Sequence, residues 1–427
     1  MRILIATDVF PPVCGGSGWS TYELARGLRG RGHAVTLVRP RTGGPGSRTD
    51  DGYDGFQPLA FPAWAPPVPY LRNYFKNERL YRRMARYLAA LIRDRRIDVV
   101  HAQHRLTGPP GIAAAREAGV PAICTVRDYW PVCYWSDLIH DPRAGELCPS
   151  CTAGMMTRCV RPRAGALWPL TLPLIPYMRA NLRRKQRALA NADAVVAVGS
   201  AIARDLRERA HGLRDTALTT IPNPVDVQAI QAEAERQPPP LDRSYLLHVG
   251  KLDVNKGVSQ LLPAVRAAGL REPLVVVGDG PERSRLEADA RASRLDVRFM
   301  GWQPHERVLA WMRHALLLVF TSHWREPLSR VLLEASAVGC PVAAMDTGGT
   351  ADIVVDGETG LLAADGDELA GHVARLGADA ALRARLSEAA RGRAESTFDT
   401  SVVVARIEAL YERLRVRSGA GMRENGA

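Results

Sequence analysis

The strongest constraint on this chain is a pattern that runs once, stops at a proline-rich stretch, and runs again. Short apolar runs, many of them β-branched, alternate with longer amphipathic stretches. Residues 2–7 (RILIAT), 34–38, 98–101, 122–125 and 194–198 read as strands, and 21–31 as a helix with Leu24, Ala25 and Leu28 on one face. Alternation of this kind builds βαβ units and a parallel sheet. The pattern restarts with YLLHV (245–249), a helix at 257–267, and strands at 274–277, 297–300, 316–320 and 342–344. Between the two blocks lie IPNPVD (221–226) and QPPPLD (237–242), whose prolines suppress regular structure. The last strong helix is 401–417, and SGAGMRENGA from Ser418 reads as a disordered tail.

The expected architecture is α/β: two Rossmann-like, doubly wound domains facing a central cleft. Residues 1–222 form the first domain, with a cysteine-rich insertion at 133–159, and residues 223–398 form the second. A helix at 399–417 follows the second domain, and 418–427 is the tail. Ligands in such sheets bind beyond the carboxyl ends of the strands, and a cleft between domains is a favoured small-molecule site.

A chain of 427 residues suits two or three domains, and 46% hydrophobic with 24% charged residues is an ordinary globular balance. The formal net charge of +12, mostly arginine, favours anionic partners. No groove-reading motif accompanies it, so nucleic acid is not expected. The apolar start, MRILIATDVF, is broken by Asp8 and has no cleavage site. No run reaches the about 18–20 apolar residues of a spanning helix. The nearest, 164–178, carries three prolines and precedes a basic run at 179–187. The expectation is a cytoplasmic protein with peripheral contact on the inner face of a membrane. Its seven cysteines are then reduced.

Three segments carry candidate chemistry. Gly15, Gly16 and Gly18 follow the first strand and precede a helix, where backbone N–H groups and the helix dipole favour a phosphate. The spacing is not that of a dinucleotide fingerprint, and the second strand ends in VRP rather than an acid, which argues against a dehydrogenase. In HVGKLDVNKG (248–257), Gly250, Lys251 and Lys256 follow a strand, two cations able to neutralise a leaving diphosphate. In HWREPLSRVLLEASAVGCPV (323–342), Pro327 suits a first helical turn, Glu326 precedes the helix and Glu334 lies two turns inside it. Acids at those places can accept hydrogen bonds from sugar and ribose hydroxyls, and the N–H groups near Leu328 and Ser329 would face a ligand. A Gly-rich loop follows at 346–362. Cys133, Cys148, Cys151 and Cys159 form a further cluster with a CxxC, enough thiolates for a structural zinc site. A four-iron, four-sulfur cluster uses the same ligand count. Phe61–Tyr87 is rich in Trp, Tyr, Pro and Arg and suits a glycan or lipid-linked acceptor.

The series PPVCGG (11–16), LARGLRGRGHAV (24–35), DVVHAQH (98–104), VGKLDVNKG (249–257), VVVGDGP (275–281), VRFMGW (297–302), EPLSRVLLE (326–334) and TGGTADIVVDGETGLL (347–362) resembles the GT-B glycosyltransferases, specifically the retaining glycosyltransferase family 4. The resemblance runs from Met1 to about Phe398 and implies transfer of a sugar from a UDP- or GDP-sugar, with no cofactor required for catalysis. It implies that Gly16, with Gly15 beside it, faces the donor diphosphate and that Lys256 binds it. Lys251 stands where an arginine is usual. Gly250 and Gly278 belong to the donor site, whose base pocket involves 278–281 and 300–302. Glu326 lies near the transferred sugar and Glu334 holds the ribose. Attack is expected from the front face, with the diphosphate oxygen taking the acceptor's proton.

One departure is Arg127, with Asp128 next, where many members have a histidine. Arginine cannot act as a base, so Arg127 is expected to grip an acceptor or donor phosphate, or Asp128 to share the histidine's role. Some relatives with a similar Asp-Tyr-Trp segment carry a comparable cysteine-rich insertion. The competing readings are a sugar-nucleotide epimerase of the same fold and a non-catalytic glycan- or membrane-binding relative.

Overall fold

A computed structural model describes residues 1–12, 14–41 and 52–424, and of 69, 70, 77 and 418–424 the backbone alone. Val13 of the PPVCGG segment and residues 425–427 lie outside the described residues. The chain divides into two units: Met1–Asp137 with Pro173–Pro224 and Thr400–Ala427, and Leu138–Leu172 with Val225–Asp399.

The first unit is built on β1 (Arg2–Thr7), β2 (Ala34–Arg41), β3 (Leu59–Pro62), β4 (Val99–Gln103) and β5 (Ala122–Val126). The chain then passes through β6 (Ile139–Asp141) and β7 (Glu146–Leu147), which belong to the other unit, and returns with β8 (Ala194–Ala197) and β9 (Leu218–Thr220). These make a seven-stranded sheet in the order β3-β2-β1-β4-β5-β8-β9. Every pairing is parallel, with Ile3 opposite both Val35 and Val99. β4, β5 and β8 are buried along their whole length, as continuous apolar strands in a two-sided sheet must be.

Strand order reverses between β1 and β4, so the loops leaving those neighbours diverge and open a crevice at their carboxyl ends. The Thr400–Glu424 helix completes this unit. Val403, Val404, Ile407 and Tyr411 join Ile3, Ile5, Leu24 and Leu28 in one core. Val404 packs where Gly27 offers no Cβ, and the Tyr411 hydroxyl meets His101 Nδ1 at 2.6 Å.

The second unit holds β10 (Leu246–Val249), β11 (Leu274–Val277), β12 (Val297–Gly301), β13 (Leu317–Phe320), β14 (Val342–Met345) and β15 (Leu361–Ala363). They form a six-stranded parallel sheet in the order β12-β11-β10-β13-β14-β15, with its reversal between β10 and β13. Two parallel, doubly wound α/β units are therefore present, as the repeated pattern implied.

Several boundaries differ from expectation. The first helix begins at Gly16 rather than Thr21, and inside it Ser20 and Thr21 turn their hydroxyls back onto the carbonyls of Gly16 and Ser17, both at 2.9 Å. β3, β9 and β15, short strands at the sheet edges, are additional to those expected. Val227–Arg236 is a helix between the two proline-rich segments, started by Asp226 accepting the Ala229 N–H at 2.8 Å. The final helix continues past Arg417 to Glu424. Of the insertion at 133–159, residues 133–137 group with the first unit and residues 138–159 with the second. The turn of its β6–β7 hairpin stands against that unit, with Gly145 beside His323 and Val254.

Candidate active site

The segments leaving β10 and β13, neighbours at the second unit's switch point, carry the acids and cations singled out in the sequence. Lys256 ends a short 3-10 turn after β10, and its Nζ pairs with Glu326 Oε1. Glu326 is buried and also accepts from Ser322 Oγ at 2.7 Å. The Lys256 ammonium lies 5.1 Å from the centre of the Trp324 ring, and the Lys256 carbonyl accepts from Thr321 Oγ1 at 2.9 Å. Two glycines make this approach possible. Gly257 (φ +63°) has no room for a Cβ against the Thr321 carbonyl, and Gly348 (φ +60°) none against the Glu326 backbone. Lys251 does not join the cluster. It is 64% exposed and pairs with Asp253 at 2.6 Å.

The helix after Glu326 starts at Arg330, later than Pro327, so Glu334 sits about one turn inside rather than two. Ser329 caps it in extended conformation without a side-chain hydrogen bond. The helix's first N–H groups are left for another acceptor. Glu334 is buried and accepts from Arg330 Nε at 2.7 Å and His305 Nε2 at 2.9 Å, both on Oε1. Burial alone would raise the Glu334 carboxyl, but Arg330 and His305 outweigh it and hold it below its usual range. Glu334 in turn raises His305 against the lowering effect of burial. At the proposed base segments, Gly278 N–H donates to the Gly301 carbonyl at 2.8 Å, and Trp302 stands 77% exposed. Gly278 and Gly250 mark a close approach of two loops, since a Cβ on Gly278 would strike the Gly250 carbonyl.

In the first unit, Asp8 follows β1 and is anchored by the N–H groups of Leu106 and Thr107 and by Thr107 Oγ1, at 2.9–3.0 Å. Arg127 is buried and committed: its Nε donates to Asn223 Oδ1 at 2.9 Å, and Nη1 to Gln103 Oε1. Burial lowers it to about 10, so it stays cationic near neutrality. Its guanidinium ties β4, β5 and the segment at Asn223 together through Nε and Nη1. Asp128 pairs instead with His104 Nε2 at 3.2 Å. His104 has left-handed backbone (φ +89°), rare outside glycine, and its Nδ1 is buried without a hydrogen bond. Gly16 opens the helix with Gly15 as its cap, although a Cβ on Gly15 would meet nothing within 4 Å.

Lys185, on the Ile175–Ala190 helix, is almost wholly buried, and burial and the Arg105 charge push it down to about 7. Sequence reading missed it because helical periodicity marks its position as core without revealing what faces it. His305, Arg330 and Ser322 were missed too. Only the fold brings His305 and Ser322 to the two glutamates, whereas the Arg330–Glu334 spacing of four was visible.

The four clustered cysteines divide between the units, Cys133 in the first and Cys148, Cys151 and Cys159 in the second. Among the described residues no group of three or more His, Cys, Asp and Glu side chains is placed to hold a metal ion. Cys159 Sγ lies 3.0 Å from Arg163 Nη1. Of the aromatic stretch, Trp64, Val68, Leu71 and Tyr74 are exposed. Trp64, Phe75, Arg79 and Arg83 help line a cavity of about 190 Å³. No helix among the described residues is long and apolar enough to cross a membrane.

Residues 14–229 match the model of Glycosyltransferase Family 4, and 230–393 that of Glycosyl transferases group 1. The chain belongs to glycosyltransferase family 4. It is 28% identical over 435 residues to the glycogen synthase of Mycobacterium tuberculosis, covering 96% of this chain and 94% of that one. It is 28% identical over 401 residues to the D-inositol 3-phosphate glycosyltransferase of Xylanimonas cellulosilytica, covering 88% and 87%. Among solved structures, the sucrose-phosphate synthase of Thermosynechococcus elongatus superposes with a TM-score of 0.71 at 22% identity, covering 98% of this chain and all of that one. Anabaena HepE in complex with UDP superposes with a TM-score of 0.68 at 17% identity, covering 97% of this chain and all of that one. These likenesses establish the GT-B fold, and family membership makes this family 4 protein a glycosyltransferase.

The Glu334–His305 pair sets a pH signature. The raised His305 contributes stability that is complete below 6.5 and is lost as pH rises above it. The lowered Glu334 contributes stability that is complete above 4.5 and is lost as pH falls below it. Urea midpoints measured from pH 4 to 9 are expected to decline on the alkaline side in wild type and to decline less in His305→Gln. Identical profiles would show that the pair does not form.

Proposed function

We propose that this family 4 glycosyltransferase is a retaining enzyme. It takes its sugar from a nucleotide-sugar bound by the second unit and transfers it to a glycan or other hydroxyl acceptor held by the first. The observation that carries this reading is the half-buried Lys256 paired with buried Glu326 at the switch point of the second sheet. UDP and UDP-glucose bound to Anabaena HepE support a nucleotide-sugar donor.

When the donor binds, its diphosphate competes with Glu326 for the Lys256 ammonium. Lys256 and the open helix start at Ser329 then neutralise the charge that develops on the departing phosphate oxygen. Glu326, relieved of its cation, accepts from sugar hydroxyls. Glu334 Oε1 is occupied by Arg330 and His305, which leaves Oε2 to the ribose hydroxyls. The leaving phosphate oxygen receives the acceptor's proton, so the chemistry requires no separate base. Lys251 contributes at most a distant charge, given its exposure and its pairing with Asp253.

Turnover with UDP-, GDP- and ADP-sugars, followed as nucleoside diphosphate release, is expected for one base and to fall about 10²–10³-fold in Lys256→Ala. Proton NMR of the product is expected to show the donor's anomeric configuration. An inverted product would end the retaining reading, and full activity in Lys256→Ala would end the role of that lysine.

A structural zinc on Cys133, Cys148, Cys151 and Cys159 is a separate proposal and would require those thiols to close around it, coupling metal to folding. Elemental analysis of purified protein then gives one equivalent of zinc, lost when Cys148 and Cys151 are both changed to Ser. Metal-free protein that unfolds like the variant would refute it.

A further inference from the structure

The first unit contains a set of cations that its acids do not neutralise. Lys185 lies almost wholly buried on the Ile175–Ala190 helix, and among the described residues it has no ion-pair partner; its Nζ faces the Tyr134 ring, 5.6 Å from the centre. Lys76 likewise has no ion-pair partner among the described residues. The Arg105 charge acts on both lysines, and its side chain donates to Ser136 Oγ at 3.4 Å, with no ion-pair partner among the described residues.

The acids nearby are already engaged. Glu78 accepts from Arg184 at 2.6 Å and from Asn181 at 3.0 Å. Asp8 accepts from the Leu106 and Thr107 backbone, and Asp128 pairs with His104. A buried charge is normally paired, and one left alone is costly. An anion bound beside Lys185 would favour its cationic form, and Lys76 and Arg105, both half-buried, add positive charge to the same surroundings.

The surroundings form one wall. Tyr134 takes Lys185 on its ring and a 3.4 Å hydrogen bond from Asn73 on its hydroxyl, and Ser136, two residues on, contacts Arg105. Gln186, next to Lys185, donates to the Pro131 carbonyl at 2.9 Å and clamps the helix to the same segment. Tyr177 lies two turns before Lys185 on the same helix face, and its hydroxyl is buried without a hydrogen bond. Arg105 follows β4, and Tyr134 and Ser136 follow β5, so the group lies beyond the carboxyl ends of the strands, where ligands of such sheets bind.

We propose that Lys185, Lys76 and Arg105 form a site in the first unit for a phosphate group carried by the acceptor. Three cations and an unpartnered hydroxyl suit a phosphomonoester, with its charge of about −2 and several acceptor oxygens, better than a single carboxylate. The inference rests on the donor being held by the second unit, which leaves this site to the acceptor.

The test uses the full chain with saturating amounts of whichever of UDP, GDP and ADP stabilises it most, so that the donor site is filled. Thermal unfolding is followed while inorganic phosphate, acetate or chloride is added at matched ionic strength. Phosphate is expected to stabilise wild type beyond acetate and chloride. Its apparent affinity is expected to fall at least tenfold in both Lys185→Met and Lys76→Ala, with nucleoside diphosphate binding unchanged. Lys76 is only half-buried, so Lys76→Ala decides the matter if Lys185→Met fails to fold. No phosphate effect, an equal effect of acetate, or an equal effect in the variants (an adventitious ion only) would overturn the proposal. If no nucleoside diphosphate stabilises wild type, the donor reading fails by itself, and the phosphate titration still reports on this site.

Discussion

The Lys256–Glu326 ion pair is the constraint around which the second unit's ligand-facing end is arranged. An ion pair in partial burial costs desolvation that its attraction repays only with good geometry and further hydrogen bonds. Those bonds are present: Ser322 supports the carboxylate, and Thr321 supports the lysine's backbone. Gly349 N–H donates to the Glu326 carbonyl at 2.6 Å. Gly257 and Gly348 are needed because a side chain at either would push these loops apart. Residues spread over about a hundred positions of sequence thus converge on two charges, through the adjacency of β10, β13 and β14 in a parallel sheet. In the proposed function a diphosphate takes over the lysine while the glycines and hydroxyls that hold the frame stay in place.

The first unit uses burial differently. His101, pushed down to about 3 by burial, remains neutral and bridges Tyr411 and Thr125 at 2.6 Å each. The terminal helix is thereby fastened to the sheet through a polar contact as well as an apolar core. Arg127 holds Gln103 and Asn223, so the sheet's carboxyl edge is braced by a buried cation. What remains for an incoming group is the fringe beyond that edge: Asp8, the His104–Asp128 pair, and the cations around Tyr134.

Much of this architecture was legible in the sequence because parallel strands buried on both faces leave continuous apolar runs, and their repetition on either side of the prolines announces two units. Lys256, Glu326 and Glu334 were singled out by the resemblance of VGKLDVNKG and EPLSRVLLE to family 4 motifs, whereas the pairing of Lys256 with Glu326 depends on the adjacency of β10 and β13. The start of the first helix was misplaced because Ser20 and Thr21 look like turn residues until their hydroxyls find helical carbonyls. Pro327 suggested a helix start that the chain delays to Arg330, with Glu326 held instead by its own side-chain and backbone bonds. The burial of Arg127 and its two amide partners were not legible, because they depend on β4 and on Asn223, far apart in sequence. The allegiance of the 138–172 insertion was equally invisible, being decided by the meeting of Gly145 with His323.

The proposed function places a nucleoside diphosphate on the second unit at Lys256, with its ribose on Glu334. The most direct measurement is the affinity of UDP, GDP and ADP for wild type, Lys256→Ala and Glu334→Ala by isothermal titration calorimetry. Wild type is expected to bind one base tightly and each variant to bind it at least tenfold more weakly, a loss of about 1.4 kcal/mol or more. Undiminished binding in both variants, or none of the three nucleotides bound by folded wild type, would contradict it.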